Sequence, residues 1–195
     1  MARKAFSVTV LAFLLHAGLV SSIGEAQKPK ESGVEVAVTF NAQRSLELNS
    51  NQNFWADGGS IELGADAFRG FGIAANVSGV HSGSIGSSGI PLSLVTETFG
   101  PRYRWHDGHR FSCYGEGLIG EANAFRSFFP SAAGAQTDAT SFASQVGGGL
   151  DLHLKRHLAA RLLEASWLRT QLPNSAGNVQ NNLRLGAGVV LKLGR

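Results

Sequence analysis

The 195-residue chain holds a single cysteine, Cys113. An internal disulfide is therefore excluded, and a fold outside the cytoplasm must hold together by other means. Charge is scarce too. Asp, Glu, Lys and Arg make up 16% of the residues, against roughly 25% in typical soluble domains. A soluble protein of this length needs more charge than that to cover its surface. The net charge of +3 is only a small excess of base. No Lys/Arg cluster interleaved with aromatics occurs, which argues against nucleic acid as a partner. Beyond the first residues, no uncharged apolar run is long enough to cross a membrane as a helix.

The chain begins MARKAFSVTVLAFLLHAGLVSSIGEAQ. Arg3 and Lys4 precede an apolar run from Ala5 to Val20, followed by the small-x-small pattern of Gly24-Glu25-Ala26. That is the layout of a secretory signal peptide. The competing reading, an anchor helix, needs roughly 18–20 apolar residues. No cysteine closes the run, which argues against a lipoprotein anchor. Residues 1–26 are expected to be an export signal, and residues 27–195 one domain.

What is abundant after that is alternation, the period-two mark of a strand with two unlike faces. Val34, Val36, Val38 and Phe40 share one parity. Trp55, Ile61, Leu63 and Ala65 repeat it against Ser60, Glu62 and Gly64, with Asp57 spoiling the start. Phe71, Ile73, Ala75 and Val77 form a third face. Val95, Phe99, Pro101, Tyr103 and Trp105 form a fourth, with Glu97 as its misfit. Phe142, Val146, Leu150, Leu152 and Leu154 oppose Gln145, Asp151 and His153. Leu183, Leu185, Ala187, Val189, Leu191 and Leu193 oppose Arg184 and Lys192. Residues 110–125 have strand length but a parity blurred by small residues; Glu116 is placed on the polar face. Residues 158–170 read as helix by propensity. A strand with a bulge near Leu162 instead puts Arg161, Glu164 and Ser166 on the polar face and Trp167 on the oily one. The strand is chosen because a lone helix breaks the pattern on both sides.

About eight strands result, most of roughly 9–13 residues, where a tilted membrane crossing needs roughly 9–11. The expected connections alternate along the chain. Residues 66–69, 106–109 and 155–157 are short; residues 44–52, 78–91, 127–140 and 172–180 are long. Tight turns at one end and long loops at the other predict an up-and-down barrel.

Alternation alone does not say which face points inward. A wet face would carry many Lys and Glu side chains. Here the polar parity is mostly small residues with isolated charges of both signs. Glu35, Glu62, Glu116, Asp151 and Glu164 stand against Arg102, Arg104, Arg161, Arg184 and Lys192. Small residues suit a narrow barrel, and enclosed charges must be paired. The oily face is therefore expected to meet lipid. Trp55, Tyr103, Trp105 and Trp167, near strand ends, are candidate interface aromatics. The candidate interior network, structural in role, is Glu62, Arg102, Arg104, Glu116, Asp151, Arg184 and Lys192. The expected fold is all-β, a closed antiparallel transmembrane β-barrel.

The leader, GPRYRW at 100–105, SFASQVGGGLDLHL at 141–154 and the closing LRLGAGVVLKLGR together carry a resemblance. The chain resembles the small outer-membrane β-barrel proteins, the group that includes the transmembrane domain of outer membrane protein A and the opacity-type adhesins. The resemblance spans the whole of residues 27–195. It implies a bacterial outer-membrane location, with outer-membrane lipids, lipopolysaccharide and the insertion machinery as partners. The segment Arg184–Leu191 is similar to the terminal strand read by that machinery. It departs from the pattern in carrying Val189 where an aromatic is common and Gly194-Arg195 where a terminal Phe is common. No peptidoglycan-binding domain is expected behind the barrel.

Some barrels of this size are lipid A-modifying enzymes with a lipid-facing His and Ser. Here His81 and Ser82 are adjacent but are expected in a Gly/Ser loop, and no strand carries a His-x-Ser pair. No catalytic, cofactor or metal site is assigned. His106 and His109 share one short turn, and His153 and His157 flank another; they are read as solvated turn residues rather than metal ligands. Cys113 is read as a small packing residue on a strand, and Asn76-Val77-Ser78 as a chance glycosylation triplet. Four functions stay open: a structural or adhesive barrel working through its long external loops, a narrow channel or carrier for small solutes, a lipid-modifying enzyme, and a soluble secreted binder.

Overall fold

Eight strands form, each antiparallel to the next, and the last pairs with the first to close a ring. They are β1 (Val34–Ser45), β2 (Trp55–Phe68), β3 (Phe71–Ser82), β4 (Leu92–Trp105), β5 (Phe111–Ser131), β6 (Gly134–Lys155), β7 (Leu158–Thr170) and β8 (Gln180–Leu193). The computed structural model describes residues 33–46, 53–105, 109–131, 134–174 and 177–193. The expected export signal lies outside them. The seam between β1 and β8 sets Val38 opposite Val189 and Ala42 opposite Leu185. Closure leaves no free edge around the ring, the condition for backbone surrounded by lipid.

The oily parity points out of the barrel. Val38, Phe40, Ile61, Ile73, Phe99, Ile119, Val146, Leu185 and Leu191 are all exposed, while Arg102, Arg161 and Arg184 are at most 2% exposed. This inverts the arrangement of a soluble domain, where apolar side chains fill the interior. The wall carries apolar side chains that only lipid or detergent covers favourably.

Several local features differ from the sequence expectations, each for an identifiable reason. The short connection expected at 66–69 contracts to Arg69 and Gly70, because β2 runs on to Phe68. Both residues have positive φ, 50° and 86°, which is the two-residue hairpin turn matched to strand twist. The next short connection falls partly on residues outside those described, and the third contracts to Arg156 and His157. Residues 127–140, expected as a loop, are mostly strand: β5 and β6 pair as far as Ser131 opposite Gly134. His81 and Ser82, expected in a loop, end β3. In β7 the expected bulge is present. Leu162 and Leu163 both face outward, and the β7–β8 register shifts between Arg161 and Glu164. At Pro101, which has no backbone N–H to donate, the β4–β5 ladder skips Gly100 and Pro101 and resumes in the same register at Arg102 opposite Glu116.

Candidate functional site

The inward side chains divide into two layers. In the half nearer the short turns, arginines and carboxylates from six strands form one network. The Arg102 guanidinium donates to Glu35 Oε1 at 2.8 Å and to Glu62 Oε1 at 2.6 Å, and its Nε lies 3.7 Å from Glu116 Oε2. Arg104 donates to Glu35, to Asp151 Oδ2 at 2.9 Å and to Ser112 Oγ at 3.1 Å. Arg161 donates to Asp151 Oδ1 and Glu62 Oε1, both at 3.0 Å, and to Glu164 Oε2 at 2.9 Å. The planar five-donor fork of arginine suits such bridging, and a buried charge needs its partners.

Tyr114 sits at the centre. Its ring centroid lies 4.1 Å from the Arg102 guanidinium carbon, 4.4 Å from that of Arg161 and 5.4 Å from that of Arg104. Its hydroxyl donates to Glu164 Oε2 at 3.2 Å. The ring face thus serves several cations at once. Gly149 makes room for it: a Cβ there would lie 2.7 Å from Tyr114 Cε1.

Arg184 stands apart, farther from the short turns. It donates to Gln43 Oε1 at 3.1 Å and to Gln145 Oε1 at 3.3 Å, so neutral amides hold it. It makes no ion pair among the described residues, in contrast to the charge pairing expected for the enclosed set. Gln145 in turn donates to Glu116 Oε1 at 3.5 Å, which links the two groups. Lys192 is half-buried at the short-turn end of β8.

The half nearer the long connections is built differently. Ala56, Val80, Leu94, Ala122, Ala124, Phe129, Ala143, Leu168 and Leu172 form an apolar cluster inside the barrel. Most of these residues continue the polar parity of their strands, and Phe129 turns inward past the register shift of β5; the inward face, expected to carry mostly small residues and isolated charges, thus also carries large apolar side chains here. A cavity of about 340 Å³ opens within this cluster.

The remaining candidates scatter. His81 Nδ1 lies 3.0 Å from Ser93 Oγ on the outer face of the wall, with Asp57 its cross-strand neighbour on β2. His153 Nε2 lies 3.2 Å from Ser112 Oγ, and His157 Nδ1 lies 3.3 Å from the Lys192 carbonyl. His106 lies outside the described residues. Among the described residues no group of three or more His, Cys, Asp or Glu gathers as a metal site. Asn76 faces inward and donates to Glu62 Oε2 at 3.3 Å. Cys113 is outward and exposed.

Neither a family model nor a curated protein matches the sequence. Solved structures match the architecture. Neisserial surface protein A superposes with a TM-score of 0.60 at 14% identity, over 82% of this chain and 97% of that one. Ail, the attachment invasion locus protein of Yersinia pestis, gives 0.53 at 17% identity, over 83% and 99%. The outer membrane protein OprG of Pseudomonas aeruginosa gives 0.55 at 11% identity, over 88% and 100%. The fold is that of the small outer-membrane β-barrels.

Such a barrel needs a bounded apolar belt, and the outward residues define one. At the short-turn end, Tyr103 packs edge-on against Phe71 and Trp105, with both centroid separations 4.6 Å. At the other end, Trp55 lies under the Arg44 guanidinium at 5.6 Å, and Trp167 Nε1 donates to Asn181 Oδ1 at 3.2 Å. Asp57 and Glu97, the misfits of their strands, lie toward that same end. From Trp105 up to Glu97, eight residues of strand tilted by about 40° span roughly 20 Å. That approaches the apolar band of about 25 Å expected of outer-membrane barrels, so the misfits lie at the belt's outer margin.

Proposed function

We propose that the protein is a bacterial outer-membrane barrel whose work is structural or adhesive, done by the segments at its long-connection end. The observation that carries this reading is the interior layer of Arg102, Arg104, Arg161, their carboxylates and Tyr114, whose buried ion pairs cross the interior between non-adjacent strands. An ion passing through would have to break several buried ion pairs at once. The β5–β6 ribbon supplies exposed surface for contact. Its tip beyond Asn123 and Thr140 presents Phe125, Phe128 and the run Gly134–Asp138 to the outside.

The wall's partners on this reading are outer-membrane lipids and lipopolysaccharide. Residues 1–26 direct export, and the insertion machinery reads the β8 end. The His81–Ser93 pair is assigned no catalytic role: among the described residues no carboxylate bonds to the imidazole to orient it. Planar-bilayer recording of the purified, refolded barrel is expected to give no stable openings. Reproducible unitary conductance would overturn the reading in favour of a narrow channel. Lipid A from an expressing strain is expected to show an unchanged mass spectrum; a lost or added acyl chain would instead assign an enzyme.

A further inference from the structure

The outer half of the barrel interior holds a chamber that the ion-pair layer does not use. Its volume is about 340 Å³. For scale, an engineered apolar cavity of about 150 Å³ admits benzene, and small-molecule pockets begin near roughly 300 Å³. Val80, Leu94 and Leu172 form its walls, and Ile85 and Ile90 come in from the β3–β4 connection. Phe129 comes in from the ribbon. Arg126 adopts a positive φ of 62°, and the β5–β6 register shifts between Phe125 and Phe129. That irregularity bends the ribbon, and Phe129 is left only 7% exposed within the cluster.

The polar part of the lining is uncharged. Gln43, Thr170, Gln180 and Asn182 line the chamber, and among the described residues no Asp, Glu, Lys, Arg or His does. Beneath it, Gln43 accepts from Arg184, whose guanidinium is already engaged with Gln43, Gln145 and Thr96. A charged solute entering would lose its hydration against a lining that, among the described residues, holds no charged side chain, while the Arg184 guanidinium below is held by its own hydrogen bonds. A mainly apolar molecule with one hydrogen-bonding group loses little and gains wall contacts.

We propose that this chamber binds a small, uncharged, mainly apolar molecule of about two-ring size, with its polar group against the Gln43 and Asn182 amides. Binding here goes beyond the closed-barrel reading and is independent of it, since a molecule can dock above the network whether or not ions cross below. The experiment uses the whole barrel in lipid nanodiscs, read by amide NMR signals. The probes are 1-naphthol and 1-naphthalenesulfonate, which share a ring system and differ in charge. With 1-naphthol, saturable shifts are expected at Val80, Leu94 and Phe129. The sulfonate is expected to bind at least tenfold more weakly. Val80→Trp, which fills the chamber, is expected to abolish the saturable shifts. Leu94→Phe does the same in smaller measure, should Val80→Trp fail to fold. Non-saturating shifts along the lipid-facing amides, equal binding of both probes, or binding that survives a folded filling variant would each overturn the proposal. A conductance recording on the same sample reports on the closed-barrel reading separately.

Discussion

Arg102 touches two carboxylates at hydrogen-bond distance and the face of Tyr114, so its removal leaves Glu35 to Arg104 alone and Glu62 to Arg161 alone, and takes from Glu116 the arginine beside it. Arg102→Met is expected to cost about 3–5 kcal/mol, the range for breaking a buried pair from one side. Adding Glu116→Gln to that variant should restore part of the loss, because the carboxylate left without an arginine goes with it. Tyr114 separates ring from hydroxyl. Tyr114→Phe keeps the ring and loses one hydrogen bond to Glu164, about 1–2 kcal/mol. Tyr114→Leu also removes the aromatic face that the guanidinium groups share, and should cost about 2 kcal/mol more. Urea unfolding in phospholipid vesicles, followed by tryptophan fluorescence, checks both. Equal costs for the two Tyr114 variants would remove the ring from the account. At this scale the sequence shows which residues are inward but not which matter most. Glu116 is readable as polar-facing, and Tyr114, two residues before it, shares its parity. Nothing in the alternation ranks that aromatic above the other members of its face, because its weight comes from arginines contributed by other strands.

The β5–β6 ribbon is the element whose form the sequence conceals. Pro130 and the run of Ser, Ala and Gly around residues 131–134 carry turn chemistry, and β5 nevertheless runs to Ser131 and β6 starts at Gly134. Pairing between the two arms carries them: the ladder reaches Ser131 opposite Gly134, while β4 pairs with β5 only to Ser93 opposite Phe125 and β6 with β7 only from Ala143. Beyond those points Gln171 N–H still donates to the Phe142 carbonyl at 3.2 Å, and farther out Phe129 is the large apolar side chain that the ribbon buries in the interior cluster. Replacing residues 125–138 with a two-residue Asn-Gly turn, which joins the paired Ala124 and Ala139, should therefore leave a closed barrel. The expected loss is about 1.5–3 kcal/mol, the burial of one large apolar side chain. Heat modifiability on detergent gels checks closure, and urea unfolding checks the size of the loss. A barrel that no longer forms would give the ribbon a part in folding. By contrast, the bulge of β7 is legible in LAARLLEASWLRT itself, because only an extra residue puts Arg161 and Glu164 on the same face.

At the scale of the whole molecule, closure and the direction of the oily face are legible for one physical reason. A strand that is small and sparsely charged on one parity and apolar on the other fits a barrel turned outward to lipid, and eight such strands leave no free edge. The division of the interior into an ionic and an apolar layer is not legible. Val80, Leu94 and Leu168 sit on the polar parity of their strands and become one cluster only when strands distant in sequence close on each other. The orientation itself is open to direct measurement. Ile119 is 52% exposed near the middle of β5, opposite Phe99 and Ser144 and two residues below Glu121. A nitroxide attached to Ile119→Cys, in a Cys113→Ser background, should sit among acyl chains once the barrel is in a bilayer. Its relaxation should respond strongly to dissolved oxygen, which concentrates in hydrocarbon, and weakly to a water-soluble nickel complex. The opposite ordering of the two reagents would place the Ile119 face in water. The arginine network would then not lie within a lipid-clad wall, and the outer-membrane assignment would fall with it.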